Sequence, residues 1–269
     1  MKKILILLTI ILVITIGCEQ TNIIYEPKAI EYHTGTDAVN VDLVKDLPPE
    51  IVFEGTEFVV GIELKNKGAA DIYDGVVAIV GLDPKYTKIE QEQESFDIPG
   101  KSPQYPEGGY DIKHFILKNI WFPVGKKEHR IPFTIIADYD YKTEAKIEVC
   151  VNPDLYEYVK TKEKVCEVKD VKVSDGQGAP LAVTLVEPSI SLMSQNLNQL
   201  DLKFGIHIEN KDEGYVIGDL SLDKVMLGNQ IIKCSNIRKE GISKENNKWY
   251  MFCSATMDHQ GKAYISRLH

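Results

Sequence analysis

The feature that most restricts what this chain can fold into is a two-residue rhythm. In EFVVGIELK, positions 57–65, Phe58, Val60, Ile62 and Leu64 alternate with Val59, Gly61, Glu63 and Lys65, and the run ends in the turn Asn66-Lys67-Gly68. A strand sends successive side chains to opposite faces, so this run predicts a strand with one face in a core. About 144 positions further on, DLKFGIHIEN at 201–210 places Leu202, Phe204, Ile206 and Ile208 on alternate positions and runs into Asn210-Lys211-Asp212-Glu213-Gly214. The recurrence predicts two domains of one kind. Long helical periodicity is absent beyond residue 18, so the expectation is an all-β protein.

The first residues carry a different signal. Met1-Lys2-Lys3 precedes the apolar run 4–16, ILILLTIILVITI, and then Gly17-Cys18. A helix of that length rises only about 20 Å against roughly 30 Å of bilayer hydrocarbon, which favours a signal-peptide core over a stable span. Thr15-Ile16-Gly17-Cys18 resembles a lipobox, in which a small residue precedes a cysteine that is lipidated and becomes the mature N-terminus. Thr15 stands where such motifs usually carry Leu, and ordinary cleavage or an uncleaved anchor are the alternatives. The expected location is extracellular, at the cell surface, with the membrane as a partner through the N-terminal segment.

Without Lys2 and Lys3 the chain has 29 basic and 40 acidic residues, a balance of about −11. This argues against a nucleic-acid partner, which needs clustered Lys and Arg. With Cys18 assigned to the leader, Cys150, Cys166, Cys234 and Cys253 remain, and four cysteines allow three pairings. Proximity favours 150 with 166 and 234 with 253, bridges that an exported chain can form. A four-cysteine metal site is disfavoured because no Cys-x-x-Cys occurs. Parity along NKWYMFCSATM groups Cys253 with Trp249, Met251, Ala255 and Met257, which predicts a bridge in the core. Cys150 instead shares parity with Lys146 and Glu148, opposite Ala145, Ile147, Val149 and Val151, which predicts a bridge on the solvent side, pinning an excursion with Leu155, Tyr156 and Tyr158.

The domain reading is a leader at 1–18, a tether with a short strand at 19–50, a first sandwich at 51–175 and a second at 176–269, joined by the Ser-Asp-Gly-Gln-Gly-Ala-Pro segment at 174–180. The strand-like KAYISRL at 262–268 is followed only by His269, so the second sandwich either ends on that strand or is short of one. A missing strand would leave an edge able to accept a strand from a partner. In the first half, the acidic stretch with Glu90, Glu92, Glu94 and Asp97 reads as a solvated face. It leads into a breaker-rich insert, PGKSPQYPEGGYD at 99–111. Long loops are often functional, so Tyr105, Tyr110, Trp121 and Phe122 are the candidate contact residues for a cell-surface protein or glycan; the alternative is a crossover packed by its own aromatics.

Catalytic constellations are missing. Histidines 33, 114, 129, 207, 259 and 269 are scattered, and no HExxH, GxSxG, phosphate-binding loop or dinucleotide fingerprint occurs. The expectation is no enzyme, no cofactor and no metal. A secreted hydrolase built on Asp138, Asp140 and His129 is the remaining enzymatic alternative.

GTEFVVGIELKNKGAADIYDGVVAIVGLD is similar to the opening strands of the immunoglobulin-like, adhesion-related modules called CARDB domains. GKSPQYPEGGYD, EVCVNPD and KVCEVKDVKVSDGQGAPLAV resemble segments of uncharacterised predicted exported proteins of small-genome archaea. The resemblance implies export and paired immunoglobulin-like β-sandwich domains after an N-terminal signal segment, and no established activity. The functional expectation is a membrane-anchored binding or structural module of the cell surface, with a strand-exchanging subunit of a secretion or pilus-like assembly as the alternative.

Overall fold

The computed structural model describes residues 31–121, 124–125, 127–153, 165–193, 196–240, 247–258 and 263–269, with the side chains of 196 and 197 left aside. The leader, Cys18, Phe122 and the excursion carrying Leu155, Tyr156 and Tyr158 lie outside them. The described residues contain strands and no helix, so the protein is all-β.

Along the chain the strands are β1 (Val39–Leu43), β2 (Glu57–Asn66), β3 (Ile72–Val80), β4 (Thr87–Ile89), β5 (Gln93–Ile98), β6 (Tyr110–Asn119) and β7 (Thr134–Asp138). Then come β8 (Ile147–Val151), β9 (Val171–Lys172), β10 (Leu181–Met193), β11 (Asn196–Asn210), β12 (Met226–Leu227) and β13 (Gln230–Ile231). The last are β14 (Lys233–Cys234), β15 (Arg238–Lys239), β16 (Lys248–Asp258) and β17 (Tyr264–Leu268). They form four antiparallel sheets, in the orders β1-β2-β6-β4, β5-β3-β7, β14-β16-β11-β10-β9 and β13-β12-β17-β8. β15 also pairs with β16.

Two cores follow from the alternation. Phe58, Val60, Ile62 and Leu64 of β2 point inward with Phe115 and Leu117 of β6, and meet Ile72, Val77, Ile79, Phe96 and Ile98 from the facing sheet. In the second core Leu200, Leu202, Phe204 and Ile206 of β11 and Met251, Cys253 and Ala255 of β16 face Ile147, Val149 and Val151 of β8, Leu227 and Leu268. Each core is thus the filling of a two-sheet sandwich.

The recurrence seen in the sequence is a structural repeat down to single hydrogen bonds. Asn66 ends β2; its Nδ2 donates to the Ala70 carbonyl at 2.8 Å and its Oδ1 accepts from the Gly68 amide at 3.0 Å. Asn210 ends β11 and does the same, donating to the Gly214 carbonyl at 2.6 Å and accepting from the Asp212 amide at 3.2 Å. The next amide in each case turns to the strand alongside, Lys67 to Ala38 O at 2.7 Å and Lys211 to Pro180 O at 2.8 Å. An asparagine side chain can close such a turn because it offers both a donor and an acceptor two atoms from the backbone.

β8 departs from the sequence reading, which grouped 143–151 with the first half. Ile147–Val151 pairs with β17 in the register Ile147↔Leu268 to Val151↔Tyr264, and its inward residues fill the second core. Alternation shows that one face of a strand is buried; it does not say which of two cores buries it. The C-terminal strand β17 is consequently internal to its sheet, between β12 and β8, and His269 exchanges two backbone hydrogen bonds with Met226.

Candidate functional site

The cysteines form the bridges that proximity favoured, Cys150–Cys166 and Cys234–Cys253. Cys234 and Cys253 are direct cross-strand partners on β14 and β16, with Cα atoms 4.0 Å apart, and Cys253 is fully buried in the second core. Cys150 corrects an expectation. It lies on the face of β8 away from the core, as its parity requires, yet it is only 8% exposed. Its cross-strand partner is Ile265, and the bridge brings the half-buried Cys166 over the strand, with Sγ 3.5 Å from the Tyr264 carbonyl oxygen. The covering chain comes from the bridge itself, which strand parity does not register.

The candidate contact residues do not come together as one surface. Tyr105 closes a turn in which Ser102 and Tyr105 exchange backbone hydrogen bonds, and it is half exposed. Tyr110 begins β6 and is 70% exposed, opposite Lys65 of β2. Trp121 lies beyond the other end of β6, a strand about 30 Å long. Phe122 lies outside the described residues.

Trp121 instead belongs to an aromatic corner that the sequence reading missed. Its ring stacks on Tyr86 with centroids 5.6 Å apart and planes at 18°, and His129 meets Tyr86 from another side at 4.7 Å. The Lys85 ammonium stands 5.4 Å from the Trp121 centroid and 5.8 Å from that of Tyr86, within reach of both rings' negative faces. The turn Asp83-Pro84-Lys85-Tyr86-Thr87 positions them: Asp83 accepts from the Lys85 amide through Oδ1 and from the Tyr86 and Thr87 amides through its carbonyl. Ile120 N–H donates to Tyr86 O and ties this turn to the end of β6. The Asp-Pro turn was the available signal, and only the β4–β6 pairing places it beside Trp121.

Asp138 ends β7, whereas His129 lies five residues before that strand begins. Asp138 and Asp140 are exposed. The ring contact of His129 is with Tyr86. Among the described residues no group of three His, Cys, Asp or Glu is placed to hold a metal ion, and no helix is long and apolar enough to cross a membrane. On the second half, His207 Nε2 lies 3.0 Å from Glu187 Oε2, with Tyr250 and Phe252 edge-to-face on the next strand; a shallow depression of about 220 Å³ opens beside His207.

The 174–180 segment is tied by backbone hydrogen bonds to chain far away in sequence. Gly178 N–H donates to Gly35 O at 2.8 Å, Gly35 N–H to Asp175 O at 2.7 Å and Ala69 N–H to Gly178 O at 2.7 Å. The Tyr141 hydroxyl donates to the same Gly178 carbonyl at 3.1 Å and accepts from the Ala70 amide at 3.2 Å. Burial pushes the Tyr141 phenol up to about 12. Gly178 sits at φ +66°, and a Cβ there would stand 2.7 Å from that of Ala69, so only glycine fits. Gln177 is buried with its amide paired both ways to the backbone of Val183, beside the irregularity in β10.

Comparison with family models, curated proteins and solved structures gives no match for this chain.

Proposed function

We propose that this chain is a membrane-anchored binding or structural module of the cell surface, made of two immunoglobulin-like β-sandwich domains and without catalytic activity. The observation that carries the reading is the Cys234–Cys253 bridge inside a packed core, accompanied by Cys150–Cys166. Two such bridges point to an oxidising, extracellular environment. The leader with Lys2, Lys3, the apolar run and Cys18 supports export and an N-terminal anchor. Stapled sandwiches joined through a glycine-bound linker suit a body that must keep its shape outside the cell. The aromatic corner of Tyr86, Trp121 and Lys85 and the face around Phe252 supply surface for a protein or glycan partner.

The test is intact mass with non-reducing peptide mapping on protein from the native membrane fraction. The expected result is a lipid-sized increment on Cys18 together with both bridges. An unmodified Cys18 in a soluble fraction, or free thiols at the other four positions, would overturn the reading.

A further inference from the structure

The repeat makes one difference between the halves informative. The core sheet β1-β2-β6-β4 matches the run β10-β11-β16-β14 in spatial order, with the asparagine turns at equivalent places; the second sheet also carries β9 beside β10 and β15 beside β16. The facing sheets correspond as β5-β3-β7 and β13-β12-β17, but the second continues with β8 beside β17. Beside β7, among the described residues, no strand pairs. The edge that is filled in the second half is therefore open in the first.

Residues 134–138 of the open edge carry little of the usual protection, with Pro132 just before them and Asp138 at their end. At the other edge of the same sheet β5 carries Glu94 and Asp97 and follows Glu90 and Glu92, charges that discourage edge-to-edge pairing. β7, Thr134-Ile135-Ile136-Ala137-Asp138, has no proline, no lysine and no bulge, and its one charge is at its end. Its inward residues Ile135 and Ala137 are only half-buried, whereas Val77 and Ile79 on the adjacent β3 are at most 3% exposed. Its outward Ile136 is 48% exposed beside its cross-strand partner Ala78.

We propose that this edge pairs with the same edge of a second copy of the chain, antiparallel about a two-fold axis at Ile136. In that register Ile136 meets Ile136, Ile135 meets Ala137, and the Asp138 carboxylate meets the Thr134 hydroxyl. No like charges are opposed and the half-buried inward residues become covered, which makes the edge self-complementary. The chain's own β8 does not compete for it: β8 is paired along its length with β17 and bridged to Cys166. The inference concerns the folded body and does not require the lipid anchor.

Sedimentation of the purified protein over a concentration series up to about 500 µM tests it, a range that reaches a small, weak interface. The expected result is a reversible monomer–dimer equilibrium that Ile136→Lys weakens at least about tenfold by opposing two like charges across the axis. Ile116→Lys, an equally exposed position on β6 of the other sheet, leaves it unchanged. Because Ile136→Lys alters an outward residue, its thermal unfolding should match the wild type. In the unaltered protein, amide exchange in β7 should slow as concentration rises. A monomer across the range, a dimer indifferent to Ile136→Lys, or β7 exchange rates independent of concentration would overturn the proposal. So would a monomer whose β7 is protected only by an added β8-like peptide, which would assign the edge to a foreign strand.

Discussion

The two halves share a strand order and an asparagine turn, and differ in how the frame is closed. In the first, Asn66 is fully buried and its amide also reaches the Ile98 carbonyl at 3.3 Å, stitching the two sheets together without a covalent link. In the second, Asn210 is half-buried, and closure comes from the Cys234–Cys253 bridge within the core and from β8, a strand drawn from upstream of the joint. One strand-and-turn frame is thus completed by polar satisfaction in one case and by a covalent staple with an added strand in the other. The turn residue itself is constant; the partners it is given decide how much it contributes.

Asn66→Ala and Asn210→Ala sharpen this contrast most. Removing Asn66 strands the Ala70 and Ile98 carbonyls and the Gly68 amide in or near a core, at about 1 kcal/mol or more each, so a loss of about 3 kcal/mol is expected. Asn210 satisfies two groups at a more exposed turn, and about 1 kcal/mol is expected. Denaturant unfolding of both variants checks this, and equal losses would break the comparison. Next is Cys234→Ala with Cys253→Ala, expected to cost about 3 kcal/mol in the chain-entropy account and to lower unfolding of the second half selectively. Under mild reductant the Cys150–Cys166 bridge, on the face of β8 away from the core, should open before Cys234–Cys253, which packs in the second core; alkylation followed by peptide mapping gives the order.

The joint gives a smaller effect with a pH signature. Tyr141→Phe removes one donor and one acceptor around Gly178 and should cost about 1–2 kcal/mol. The phenol's value in the folded protein is raised to about 12 from 10.0. Its contribution is therefore complete below pH 10 and is lost as pH rises from there through about 12. Stability of the wild type should fall over that window, and Tyr141→Phe should flatten the decline; an unchanged profile would remove Tyr141 from the joint's energetics.

Legibility followed the range of the forces involved. The two-residue alternation marked Glu57–Asn66 and the 201–210 stretch because each strand's faces are set by its own residues. Cysteine spacing marked both bridges for a similar reason: each closes a short stretch of chain. What stayed hidden depends on long-range pairing. The alternation of 145–151 fits either core, and only pairing with β17 assigns β8 to the second. Tyr110 and Trp121 are close in sequence, but the extended β6 carries them to opposite ends of the sheet, while Tyr86, remote in sequence, reaches Trp121 through β4. Cys150 had the correct face, yet nothing local announced that Cys166 would cover it.

Amide exchange of Ile147–Val151 in two core variants tests the central claim, that β8 completes the second half while β7, among the described residues, keeps one edge without a strand partner. Phe204→Ala, emptying a fully buried site in the second core, should cost about 3–5 kcal/mol and release the β8 amides together with β17. Phe115→Ala, a comparable loss in the first core, should leave β8 protected. Release of β8 by Phe115→Ala, in step with β7, would contradict the account.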